Sequence, residues 1–149
     1  MLQEYKNILI HINAFKESYN INQRAVRLQE MYYRYILDYL FAKYDLYLLG
    51  DCDKDVEKIV ETAGIYAYFQ NIYTPKSKSF QEENYYSIMR DLYCSDNRRY
   101  LVIGRNTNEE IIEARKGSIP TCMISSMEED SLIRSTYTID SFEKIKTIL

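Results

Sequence analysis

At 149 residues the chain is long enough for one domain with a buried core, and 46% apolar with 28% charged residues is the balance of a soluble globular protein. A formal net charge of −3, with both signs mixed along the chain, argues against the basic face of a nucleic-acid binder. No run nears the roughly 20 apolar residues of a membrane helix, and the opening MLQEYKNILIHINAF lacks the order of a secretory signal.

The elements follow in chain order. NILIHI (residues 7–12) is a short apolar run suited to a strand buried on both faces. Asn22–Tyr44 is free of Gly and Pro and reads as one long helix. Val26, Met31, Tyr35 and Tyr39, with Leu28, Tyr32 and Ile36, form two adjacent apolar stripes at helical spacing, broader than one sheet contact needs. LYLLGD (residues 46–51) is a second buried strand, and DKDVEKIVETAG an amphipathic helix ending at Gly64. NIYTP (residues 71–75) is a third strand stopped by proline, followed by the polar loop KSKSFQ and the helix EENYYSIMRDLY. RYLVIG (residues 99–104) is the fourth strand, TNEEIIEARKG a helix with Gly117 at its end, and PTCMIS (residues 120–125) the fifth strand. After an acidic loop, STYTID (residues 135–140) is a sixth strand and SFEKIKTIL a closing helix.

This alternation predicts an α/β fold: a single-domain three-layer α/β/α sandwich around a mainly parallel sheet of five to six strands, joined by right-handed crossovers. The sequence shows no repeat, low-complexity segment or linker, so residues 1–149 are expected to form one domain. Cys52, Cys94 and Cys122, with one histidine, make no metal-ligand spacing. They are expected as reduced thiols of a cytoplasmic protein, Cys122 in the core. Sixteen tyrosines and no tryptophan are expected mainly as half-buried packing residues.

Ligands of open parallel sheets bind outside the carboxyl ends of the strands, at the switch point. The residues expected there are His11 and Asn13 after the first strand, Gly50 and Asp51 after the second, Lys76 or Lys78 after the third, and Arg105 and Asn106 after the fourth, with Glu110 one helical turn on. The set is basic and amide-rich, with few acids.

As an ordered series the whole chain resembles the haloacid-dehalogenase-like (HAD-like) family of aspartate-nucleophile phosphohydrolases. That family's first strand runs into Asp-x-Asp-Gly-Thr, where this chain reads His11-Ile12-Asn13-Ala14-Phe15. Its second strand ends in Ser or Thr, commonly before Asn; here stand Gly50 and Asp51. GIYAYF (residues 64–69) fits the family's G-I-x-x-Y-F, and Lys78 matches its lysine better than Lys76. The family's fourth strand ends Gly-Asp-Ser with a further Asp on the next turn; here Gly104-Arg105-Asn106 precedes Glu110, and Ala114 with Gly117-Ser118-Ile119 matches its Ala-x-x-x-Gly-Ile. The tail YTIDSFEKIKTIL resembles the family's final strand and helix.

The resemblance implies a scaffold kept and a catalytic set mostly replaced. His11 and Asn13 stand for the nucleophile and its acid/base partner, and Arg105 for a Mg²⁺ ligand. Guanidinium has donors only and cannot bind a cation, so no cofactor and no Mg²⁺ is expected. Two roles for Arg105 stay open: phosphate binding with Lys78, aided by N–H groups near Thr107, or an internal ion pair with Glu110 or Asp51. Phe15 to Asp45 leaves room for a loop and one helix, so no separate cap domain is expected. The function expected is a non-catalytic binding or regulatory module. The alternatives are a phosphate-ester binding protein, or a hydrolase with atypical, metal-independent chemistry. Expected partners are a protein or a second copy docking on the Asn22–Tyr44 helix, or a phosphorylated small molecule, with neither nucleic acid nor membrane.

Overall fold

The computed structural model describes residues 5–11, 14, 34–50, 66–73, 99–104, 111, 114–115, 117–124, 135–140 and 142–149. Six strands emerge: β1 (Asn7–His11), β2 (Asp45–Leu49), β3 (Asn71–Tyr73), β4 (Tyr100–Gly104), β5 (Thr121–Ile124) and β6 (Tyr137–Ile139). All pair in parallel, in the order β3-β2-β1-β4-β5-β6. Every residue of β1, β4 and β5 is buried, which is why these strands read as unbroken apolar runs rather than alternations.

The expected strands all occur, shorter or shifted by a residue or two. β2 starts at Asp45 because the Asp45 N–H donates to the Lys6 carbonyl at 3.0 Å, beginning the ladder opposite Asn7. It ends at Leu49; beyond it, the Gly50 N–H donates to the Tyr73 carbonyl at 3.0 Å. The turn Tyr66–Tyr68 is a 3-10 helix inside the GIYAYF stretch and leads into β3.

Successive side chains divide between the two faces of the sheet. On one face Ile8, Ile10, Leu46, Leu48, Leu101, Ile103, Cys122 and Ile124 form one core. The other face carries Leu9, Tyr47, Leu49, Tyr73, Tyr100 and Val102, with Ala114 and Ile119 packed on it. The first face is covered by residues 34–41, which are helical (α1), through Ile36, Leu37 and Leu40. Right-handed crossovers running away from β1 in opposite directions must lie on opposite faces. α1 precedes β2 and Ala114 precedes β5, so the two cores sit as that rule requires.

α1 is rotated from the expected stripes. Ile36 is buried as expected, but Tyr39 is half-buried and Tyr35 is 62% exposed. The helix instead buries Leu37 and Leu40. Aliphatic side chains bring no hydroxyl that must find a partner inside, whereas a buried phenol does. Tyr35 lies under the Lys146 ammonium, 3.5 Å from its ring centroid, and Tyr39 donates its face to Lys43 at 4.4 Å. Residues 22–33, including Val26, Leu28, Met31 and Tyr32, lie outside the described residues.

The helix end before β5 also differs. Ser118 N–H donates to the Arg115 carbonyl at 2.9 Å and Ile119 N–H to the Ala114 carbonyl at 3.0 Å, a Schellman pair. The left-handed residue of that motif is Ser118, with φ 57°, one place after the expected glycine cap at Gly117. The closing element, Phe142–Thr147, is 3-10 rather than α. Three residues per turn align Phe142, Ile145 and Ile148, all packed on the first core.

Candidate functional site

The order reverses at β1: the chain adds β2 and β3 on one side, then crosses to place β4 on the other. The crevice of such a sheet opens where β1 and β4 diverge at their carboxyl ends. His11 is the last residue of β1 and Gly104 the last of β4. Ile10 pairs with Ile103, so one further step in register sets His11 beside Gly104. On the other flank His11 pairs with Leu49, followed by buried Gly50.

The imidazole therefore stands at the middle of the sheet end, only 2% exposed, between two strands that continue into glycines. On the β4 side Gly104 brings no β-carbon next to the imidazole, while on the β2 side His11 stands beside buried Leu49. Strand alternation turns it toward the face of Leu9. Ala14, fully buried, follows on the way out of β1.

Two of the expected site positions, His11 and Gly50, are thus brought to one edge of the sheet. Asn13, Asp51, Lys78, Arg105, Asn106 and Glu110, with Lys76, lie outside the described residues. Among the described residues no three His, Cys, Asp or Glu side chains gather as a metal site. At the crevice the described donors are one imidazole nitrogen pair and backbone groups, with no carboxylate.

Other polar features lie elsewhere. A cavity of about 250 Å³, lined by Arg115, Ser118, Ile119, Pro120, Thr121 and Thr136, opens at the amino ends of β5 and β6, the opposite edge of the sheet. Thr121 and Thr136 lock each other there: each backbone N–H donates to the other's hydroxyl, at 3.0 and 3.2 Å. Arg115 complements the carbonyl end of the helix before β5, which explains a cation there without a ligand. Cys122 is in the core as expected; burial pushes its thiol up to about 12, so it is no nucleophile. A contact with no signal in the sequence joins the turn before β3 to α1. The Tyr68 hydroxyl donates to Asp38 Oδ1 at 2.6 Å, and the Tyr68 ring meets Phe41 edge-on at 6.0 Å between centroids. No described helix is long and apolar enough to cross a membrane.

No family model matches the sequence, and no curated protein matches it. Solved structures do. The HAD-hydrolase YfnB from Bacillus subtilis, bound to magnesium, superposes with a TM-score of 0.71 at 15% identity, covering 97% of this chain and 98% of that one. A haloacid dehalogenase-like family hydrolase from Xanthomonas campestris gives 0.66 at 9% identity, covering 98% and 96%. A HAD family enzyme from Bacteroides thetaiotaomicron, in complex with magnesium and inorganic phosphate, gives 0.55 at 18% identity, covering 87% and 100%. At such identities the likeness is one of fold. With six parallel strands in this order and layers on both faces, the chain has the HAD-like α/β fold.

Proposed function

We propose that this chain is a HAD-like protein without the phosphohydrolase chemistry of its fold relatives, acting as a binding or regulatory module. The observation that carries the reading is His11. It is a buried imidazole at the carboxyl end of the central strand, where the resemblance calls for an aspartate nucleophile. An aspartate there would form the phosphoenzyme and hold the metal. Imidazole does neither job in the same way, and Asn13 and Arg105 bring no carboxylate at the other matched positions.

The residues kept at the strand ends suit recognition rather than turnover. Arg105 and Lys78 are cationic, and Asn13 and Asn106 offer amides. A phosphorylated small molecule is the ligand class this set fits. The stretch from Phe15 to Asp45 is short for a separate cap, and a site with no cap suits a macromolecular partner.

The test is turnover of an aryl phosphate with and without Mg²⁺, alongside thermal shift with phosphorylated metabolites. The expected result is no Mg²⁺-dependent hydrolysis, with stabilisation by at least one phosphate ester that is lost in Arg105→Ala. Hydrolysis that needs Mg²⁺ and disappears in His11→Ala overturns the reading.

A further inference from the structure

The cavity at the amino ends of β5 and β6 lies at the sheet edge opposite the strand-end crevice, and the crevice does not explain its chemistry. Arg115, Ser118, Thr121 and Thr136 line it with one cation and three hydroxyls, and no acid joins them among the described residues. Ile119 and Pro120 form its apolar wall.

The threonine hydroxyls are committed as acceptors only. Thr121 Oγ1 accepts from the Thr136 N–H at 3.2 Å, and Thr136 Oγ1 accepts from the Thr121 N–H at 3.0 Å. These two bonds fix both oxygens, and neither O–H has an acceptor among the described residues. Thr121 is 1% exposed, so the cavity is where its O–H finds an acceptor. A buried hydroxyl donor left unpaired is costly, and an acceptor seated in the cavity removes that cost.

Arg115 adds a rigid fork of N–H donors. The helix carbonyls beside it are already engaged: that of Arg115 accepts from Ser118, and that of Ala114 from Gly117 and Ile119. The carbonyl end of the helix thus accounts for the charge of Arg115 but not for its donors.

Donors alone, gathered around one positive charge, select an oxyanion. The charge balance decides which. A helix carboxyl end carries about half a negative charge, which offsets part of the guanidinium's. A single negative charge fits that balance, whereas a dianion would be left partly uncompensated. The planar fork matches a carboxylate, and Ile119 with Pro120 offers contact to a short carbon chain. A volume of about 250 Å³ has room for such an acid.

We propose that this cavity binds a small aliphatic monocarboxylate. Arg115 holds the carboxylate through its fork, the Thr121 and Thr136 hydroxyls donate to its oxygens, and the chain lies along Ile119 and Pro120. The site is distinct from the strand-end crevice and does not depend on the reading given for that crevice.

NMR titration of the isotope-labelled protein with formate, acetate, propionate and butyrate, at ionic strength held constant with chloride, tests this. The amide signals of Ser118, Ile119, Thr121 and Thr136 should shift saturably, with a Kd of about 1–10 mM for propionate. Each added methylene should tighten binding about two- to fourfold. Arg115→Lys keeps the charge without the fork and should weaken binding about tenfold, and Arg115→Ala should abolish it. Thr136→Val should weaken binding about three- to tenfold, whereas Thr136→Ser, which keeps the hydroxyl, should bind as wild type does. Circular dichroism melts verify that each variant is folded; Arg115 is exposed, so its variants test the site without disturbing the core. No saturable shift by about 50 mM propionate overturns the proposal. So does undiminished binding in Arg115→Ala, a series that stays flat from formate to butyrate, or inorganic phosphate binding more tightly than propionate. Shifts that centre on His11 and Gly104 instead would place the anion in the crevice and overturn it equally.

Discussion

The hydroxyls of Tyr5 and Tyr137 meet at 3.0 Å, with their rings edge-on at 6.5 Å between centroids, tying the entry to β1 to the edge strand β6. Burial, and then the Tyr137 hydrogen bond, raises the Tyr5 phenol above its ordinary 10.0. Burial, followed by the nearby Asp45 carboxylate, raises Tyr47 to about 12. In both cases the folded state holds the proton more tightly, so the unfolded chain releases it first as pH rises. Their contribution to stability is complete below pH 10 and is lost above it, through about pH 12 for Tyr47. The melting temperature should therefore decline above pH 10, and Tyr47→Phe should make the decline shallower. Tyr137→Phe should cost about 1 kcal/mol at neutral pH, read by urea denaturation, because the hydrogen bond between the Tyr5 and Tyr137 hydroxyls is removed.

Ser118 adopts φ 57° directly after Gly117, so the left-handed place in the helix cap is filled by a residue with a β-carbon. That conformation costs an L-residue about 1–2 kcal/mol. Glycine avoids this cost but has more freedom in the unfolded chain, worth about 0.5–1 kcal/mol. Ser118→Gly should stabilise the fold by about 0.5–1 kcal/mol. Ser118→Val should destabilise it, since a β-branched residue resists positive φ most. Denaturation midpoints with unchanged slopes would check both.

His11 separates the proposed reading from a retained metal site. His11→Asp puts a carboxylate at the buried end of β1, where desolvation opposes its charged form and the fold should lose stability. His11→Asn, polar but uncharged, should cost less. Mg²⁺ should not restore His11→Asp, because hard cations need several oxygens. Denaturation of both variants with and without Mg²⁺ decides it: recovery of His11→Asp by Mg²⁺ means that the cation site survives.

Cys122 is fully buried and its thiol is pushed up to about 12. It should resist alkylation at about pH 8 in the folded protein and react at once in urea, since only the thiolate attacks. Peptide mapping by mass spectrometry after timed labelling resolves this residue from the other two cysteines. Rapid labelling of Cys122 without denaturant would mean that β5 opens readily.

Much of the fold was legible because buried parallel strands leave a local mark. NILIH, YLVIG and TCMI are short apolar runs, and they became β1, β4 and β5, with helical pattern between them. The resemblance to the HAD-like family rested on the same spacing, and the shared fold follows from it. Of the expected site, His11 and Gly50 come to one edge of the sheet; their placement was readable because polar residues and glycine end apolar runs.

What the chain could not show locally was decided by contacts between distant segments. Only strand order sets His11 beside Gly104, because pairing depends on crossovers rather than on either strand's own residues. Tyr35 and Ile36 are neighbours with similar apolar character, yet packing turned one out and the other in. The sheet accepts an aliphatic side chain without leaving a hydroxyl unpaired, while Tyr35 finds Lys146 from the far end of the chain. Residue spacing determined which segments are strands and helices; the cost of burying polar groups, settled only when the segments met, determined which way each side chain turned.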